Sequence, residues 1–206
     1  VEGVMCDVGD ERQIERLARE VIGNHGRIDI IINNAATYPG GQADPNFDAL
    51  NYSKDYWELY FRVNVMGPYF MIQNFAPYMI SARSGSIVNI TSHAGTKSTF
   101  GNADYHGMLG YAVSKAALNR MSLYFSEELG QHGIAVNILD PGSVMTGAWR
   151  AVPEEMKKAA MDSGRVKPAT DDVMGAHIVY LARQTAGTMT VQHVKADEFG
   201  KNWPNG

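Results

Sequence analysis

Tyr111 and Lys115 stand four residues apart in the run Tyr111-Ala-Val-Ser-Lys115. On a helix that spacing places the phenol and the ammonium on one face, one turn apart. A phenol ordinarily holds its proton up to about pH 10, and a neighbouring cation favours the phenolate. Such a phenol can serve as a general acid/base. Proton transfer at an alcohol oxygen, coupled to hydride transfer at the adjacent carbon, needs a group of this kind. Ser92 closes an apolar run and could donate a hydrogen bond to the same oxygen, stabilising its developing charge. Taken alone, the Tyr/Lys pair is a weak signal, and two solvated neighbours on a helix surface are its commoner meaning.

The elements around these residues give the pair a place. Short apolar runs alternate with helical patterns, as in a parallel sheet with helices on its faces. Val4-Met5-Cys6 reads as the end of a first strand, and residues 28–32, 86–90, 134–139 and 188–194 as four more. Asp10 caps the first helix with Gln13 as its capping-box partner, Ile14, Leu17, Ala18, Val21 and Ile22 form its apolar face, and Gly26 stops it. Residues 52–65 and 69–81 read as two helices separated by Gly67-Pro68, and residues 111–129 as a long helix. A mobile helical segment over 153–163 and a surface helix over 171–183 complete the pattern. The expectation is a single α/β domain over residues 1–206, a doubly wound, Rossmann-like parallel sheet. In such a sheet ligands lie beyond the carboxyl ends of the strands. There the sequence turns small or polar: Asp7, Asn33-Asn34-Ala35-Ala36, Thr91-Ser92 and Asp140-Pro141-Gly142.

Composition excludes several other classes. The net charge of -4, with Lys and Arg scattered, offers no basic stripe for nucleic acid. A single cysteine, Cys6, excludes an intramolecular disulfide, and the six histidines show no metal-ligand spacing, so no metal is expected. The longest apolar stretch, residues 69–80, is broken by Gln73, Asn74 and Pro77 and is too short for a membrane span. A reducing, cytoplasmic setting fits these features.

The ordered set is more specific than the pair. Asn33-Asn34-Ala35-Ala36, Asn64, Asn89-Ile90-Thr91-Ser92, Tyr111 to Lys115, and Asp140-Pro141-Gly142 through Thr146 follow one another along the chain. In this the sequence resembles the short-chain dehydrogenase/reductase (SDR) family, whose marks are an N-N-A-G turn, a lone Asn, a Ser, Y-x-x-x-K and P-G. The resemblance implies an NAD(P)-dependent oxidoreductase that interconverts a small-molecule secondary alcohol and a ketone. Tyr111 would be the acid/base. Lys115 would favour its phenolate and hold the nicotinamide ribose hydroxyls, Ser92 would polarise the carbonyl, and Asn64 would hold a water relaying protons past Lys115. Asn33, Ala35 and Ala36 would line the cofactor near its adenosine and ribose, and Asp7 with Val8 would contact the adenine ring. Pro141, Gly142 and Val144 would flank the nicotinamide, and Thr146 would bond its carboxamide. The family also implies a homodimer or homotetramer, assembled through the helices that carry Tyr69 and Tyr111.

Four features depart from the family pattern. Ala36 replaces the last glycine of the turn, which is mild if no positive φ is needed there. The family's usual serine-to-tyrosine interval points to Ser98 rather than Ser92. Ser92 is the preferred reading because it directly follows a strand, and the loop over residues 96–110 then carries an insertion of several residues. The C-terminal end reads Lys195-Ala-Asp-Glu-Phe-Gly where D-G-G is common. No glycine-rich phosphate turn is present, and the family's first two strands would lie between this chain's first and second. By that comparison about 50 residues are missing in front of Val1, and with them the residue that chooses NAD or NADP. Substrate walls are expected from residues 37–42, 93–108 and 145–165, the last as a lid. Their Tyr38, Phe100, Tyr105, Met108, Met145, Trp149 and Met161 suit a partly apolar substrate. The rival reading is an inactive SDR-like scaffold, or a fragment that binds no cofactor.

Overall fold

The computed structural model describes residues 1–37, 49–96, 108–142, 144, 153–162 and 173–204. Four parallel strands form one sheet in chain order: β1 (Ile30–Asn33), β2 (Gly85–Ile90), β3 (Ile134–Asp140) and β4 (His193–Lys195). Ile31 lies beside Ile87, and Ile87 beside Val136, so alternate residues turn to opposite faces. One face carries Ile31, Ile87, Ile134 and Val136. It packs against Ala18 of α1 (Glu11–His25), Ile72, Phe75 and Met79 of α3 (Gly67–Ala82) and Leu129 of α4 (Leu109–Gly130). The other face carries Val88, Ile90, Leu139 and Val194 and packs against Leu181 of α6 (Val173–Ala182). Two cores on two faces make the sheet doubly wound. Both faces being covered explains why β2 and β3 are apolar runs rather than alternating ones.

The expected helices form with two differences. Gln13 does not close a reciprocal capping box. Its amide donates to the Asp10 carboxylate at 3.0 Å and its oxygen accepts from Asp7 N, while the Asp10 N–H bonds Asp7 O. Gly67-Pro68 does not separate two helices. α2 (Lys54–Phe61) runs through a π turn, Arg62–Met66, directly into α3. The turn shifts the ladder by one residue, so that Gly67 N bonds Arg62 O, and Pro68 falls in the first turn after the shift, where a missing N–H costs least. The surface helix over residues 173–182 forms and buries one face, with Leu181 fully buried and Met174, Ile178 and Tyr180 packed on the second core, while Val179 on its other side is exposed. The short helix α5 (Glu154–Asp162) forms as expected.

Two strand expectations are also corrected. Val4, Met5 and Cys6 belong to no described strand; no described strand flanks the outer edge of β1 to pair with them, and Ile30 there is 43% exposed. The last strand is regular only over His193–Lys195, because Val191 takes a positive φ of 65°. Its N–H still reaches Val136 O on β3. The unusual C-terminal end folds back in a 3₁₀ turn, Ala196–Glu198, and stacks Phe199 on His177 of α6 with ring centroids 4.0 Å apart. No described helix is long and apolar enough to cross a membrane.

Candidate active site

β2 ends at Ile90, and its next residues meet the first turns of α4. Lys115 is 97% buried by its 3% exposure, and its Nζ donates to Ile90 O at 2.9 Å. The same Nζ lies 5.8 Å from the centroid of the Tyr111 ring. Burial pulls the Lys115 pKa down to about 8. Ser92 caps the 3₁₀ turn His93–Gly95, and that turn presses on α4. A Cβ on Gly95 would stand 2.7 Å from Ala116 N, so only glycine allows this approach. As a result Ala94 packs beside Tyr111 in one buried cluster with Tyr60. Ser92 Oγ accepts from Ala94 N at 3.2 Å, which leaves its O–H as a donor. Thus Ser92, Tyr111 and Lys115 meet at the carboxyl end of β2.

Asn64 lies in the π turn and is buried. Its Oδ1 accepts from Thr37 N at 2.9 Å, and its Nδ2 donates to Thr37 O at 3.1 Å and to Ser114 Oγ at 3.0 Å. Ser114 Oγ in turn donates to Tyr111 O at 2.7 Å. A hydrogen-bonded chain therefore runs from the loop after β1 to the backbone of Tyr111. Both N–H groups of the Asn64 amide are engaged in it.

The expected cofactor residues divide by what their side chains do. Asn33 donates to Asn89 Oδ1 at 2.7 Å, and Asn89 donates to Ser122 Oγ at 2.8 Å, tying β1 through β2 to α4. Ala35 and Ala36 are exposed beyond the strand end, and Ala36 has no positive φ, so a methyl group is tolerated there. Asp7 Oδ1 accepts from Gly9 N, and Oδ2 lies 3.9 Å from Arg62 Nη1. The Val8 carbonyl rests on Gly67, where a Cβ would come within 2.8 Å. Gly142 has φ 67° and its N–H bonds Asp140 Oδ1 at 3.0 Å, turning the chain away after β3 between half-buried Pro141 and Val144. Thr146, Ser98 and most of the expected substrate walls, Tyr38, Phe100, Tyr105, Met145 and Trp149 among them, lie outside the described residues.

The donor set suits the ribose and nicotinamide end of a dinucleotide. Lys115 is a buried ammonium with three donors and, among the described residues, no carboxylate partner. Such a group is stabilised by further oxygen acceptors, and ribose hydroxyls are of that kind. The pyrophosphate has no such match in the described helices. α1 opens on Asp10 and Glu11, whose charges oppose an anion there. Ser114 and Tyr60 are support residues that the spacing did not reveal. Ser114 lies inside the Tyr-x-x-x-Lys run, and its helical offset from Asn64 is invisible until both helices are packed.

Comparison with known proteins identifies the family. A family model described as enoyl-(acyl carrier protein) reductase matches residues 1–198. A 3-oxoacyl-[acyl-carrier-protein] reductase, FabG of Thermotoga maritima, is 31% identical over 203 residues, covering 96% of this chain and 76% of that protein. A sorbitol dehydrogenase of Cereibacter sphaeroides is 30% identical over 216 residues, covering 97% and 78%. Among solved structures, a short-chain dehydrogenase/reductase of Serratia marcescens superposes with a TM-score of 0.76 at 25% identity, covering 93% of this chain and 73% of that one. With its parallel sheet wound on both faces and its Ser, Tyr and Lys gathered at one strand end, the chain belongs to the short-chain dehydrogenase/reductase family of NAD(P)-dependent oxidoreductases.

Proposed function

We propose that the protein interconverts a secondary alcohol and a ketone, with Tyr111 as general acid/base. The observation that carries this reading is the buried contact of Tyr111 with Lys115, whose ammonium is the charged group beside the phenol ring. A bound NAD or NADP would supply the hydride chemistry at the carbon that bears the alcohol or ketone oxygen. In the reducing direction Ser92 Oγ–H donates to the carbonyl oxygen, and Tyr111 Oη gives that oxygen its proton. Lys115 then stabilises the phenolate left behind, and its remaining donors would hold the ribose hydroxyls of a bound nucleotide. Asn64 and Ser114 fix the backbone of Tyr111 against the loop after β1. In the oxidising direction the same proton returns to Tyr111.

FabG and the sorbitol dehydrogenase support this substrate class, since their names describe a ketone reduction and an alcohol oxidation. The test is a panel of acetoacetyl thioester, crotonyl thioester and sorbitol, each with the NAD and NADP couples, followed by nicotinamide absorbance. The ketone or the alcohol should turn over faster than the enoyl thioester. Tyr111→Phe should lower that rate by about 10²–10⁴-fold while nicotinamide binding survives. Unchanged turnover in Tyr111→Phe would remove the assignment. Separate Ser92→Ala and Ser98→Ala variants decide the serine, and full activity in Ser92→Ala would transfer the role to Ser98.

A further inference from the structure

The end of α2 brings an aromatic side chain against the catalytic turn that the mechanism above does not use. Tyr60 is 2% exposed, and its ring centroid lies 6.4 Å from that of Tyr111 at an interplanar angle of 76°. It is backed by its own helix. Tyr56 stacks on it at 6.2 Å and 18°, and Tyr52 leans on Tyr56 at 6.2 Å. The space Tyr60 fills belongs to the residue before Tyr111. A Cβ on Gly110 would stand 2.6 Å from Tyr60 Cδ2 and 3.0 Å from Tyr52 Cε1. Gly110 is therefore required by a ring pressed onto the first turn of α4, not by a backbone turn.

From this contact we infer that Tyr60 is a positioning residue for Tyr111: its ring, seated on Gly110, sets the tilt of the phenol ring. The inference rests on the reading of Tyr111 as acid/base. Ala94 is the other buried member of the cluster, and Tyr52, Tyr56, Met108 and Ala112 pack against it. The ring edge of Tyr60 supplies a rigid wall. Tyr111 Oη sits at the far end of its own ring, so a small rotation at Cβ becomes a displacement on the order of 1 Å at the oxygen. A misplacement of that size costs a reaction about 10²-fold in rate. Tyr60 also stands immediately before Phe61 and the π turn of Asn64. One helix thus holds Tyr111 twice, by its backbone through Ser114 and by its ring through Tyr60.

The test compares Tyr60→Phe, Tyr60→Leu and Gly110→Ala in the full-length protein, using whichever ketone or alcohol of the panel above turns over fastest. Nicotinamide binding by fluorescence and the thermal unfolding midpoint are measured on the same samples. Tyr60→Phe keeps the ring and should keep kcat. Tyr60→Leu should lose about 10–100-fold in kcat while nicotinamide affinity stays within about threefold, because Lys115 and its bond to Ile90 O are left in place. Gly110→Ala, which drives a methyl into the Tyr60 ring, should show the same split. Wild-type kcat in Tyr60→Leu overturns the proposal, as does a loss in Tyr60→Phe equal to that in Tyr60→Leu. If Tyr60→Leu is too unstable to assay, Gly110→Ala decides, and wild-type kcat there overturns it. Tyr111→Phe separates the two readings. Turnover retained in Tyr111→Phe defeats the acid/base reading itself, whereas an inactive Tyr111→Phe beside a fully active Tyr60→Leu defeats only the role of Tyr60.

Discussion

Lys115 is a buried cation whose described partners are one carbonyl, Ile90 O, and one aromatic ring. Its pKa in the folded protein is about 8, below the ordinary 10.5, and desolvation is the cause. Between those two values the unfolded chain binds more protons than the folded one, so stability rises with pH through that window. Below it, the cofactor-free protein carries a desolvation cost on the order of 3 kcal/mol for this one group. Lys115→Met should therefore raise the unfolding midpoint at pH 7 while abolishing turnover, with the gain shrinking as the pH rises from about 8 to about 10.5. Calorimetry of both proteins across that range checks it, and a Met variant less stable than wild type at pH 7 would refute the argument. That Lys115 and Tyr111 share one helix face was legible from their four-residue offset, whereas the burial that sets them apart from a solvated surface pair was not. Asn33 shows the opposite case. As a polar residue at a strand end it reads as a ligand contact, yet its side chain bonds Asn89 across the ladder. Which neighbour a buried amide finds depends on strand register, and register is set by partners far away in sequence.

At the scale of elements, the π turn Arg62–Met66 organises the cofactor side of the sheet. From one short stretch Arg62 reaches Asp7, Asn64 reaches Thr37 and Ser114, and Gly67 seats Val8. A single residue inserted into a 3.6-residue period leaves almost no trace in a hydrophobic pattern, so the helices on either side were legible and the join was not. Gly67-Pro68 consequently reads as a stop, although the glycine is there for a close approach of backbone to helix. Gly67→Ala tests that reason. The added methyl would meet Val8 O at 2.8 Å, a backbone atom that cannot rotate away. The expected cost is about 1–3 kcal/mol of stability, from overpacking. Displacement of the Asp7–Val8 turn should also raise the KM for NAD or NADP while leaving the nicotinamide end, and hence kcat, nearly unchanged. If Gly67→Ala matches wild type in both midpoint and cofactor KM, the seat of Val8 has no role.

Across the whole molecule, α3 and α4 share one face of the sheet and touch through Tyr69 and Phe125, whose ring centroids are 6.1 Å apart. Their outer sides leave large apolar groups in water: Tyr78 on α3, Val113 and Tyr124 on α4, and Met66 at the adjoining π turn, with Tyr124 65% exposed. Solvated apolar surface of this kind on neighbouring helices is stabilised by burial against a second copy. The assembly we propose, a homodimer or a homotetramer, should therefore use these two helices. Sedimentation velocity of the full-length protein should give a multiple of the monomer mass. Tyr124→Glu, which places a charge where an aromatic anchor would be desolvated, should weaken association by at least about 30-fold, the equivalent of roughly 2 kcal/mol at a central aromatic contact. Because Tyr124 lies on the helix of Tyr111 but far along it, turnover per chain should change less than assembly does. A wild-type monomer well above micromolar concentration, or an oligomer indifferent to Tyr124→Glu, would show that these side chains are ordinary exposed apolar groups and that α3 and α4 serve only the core beneath them.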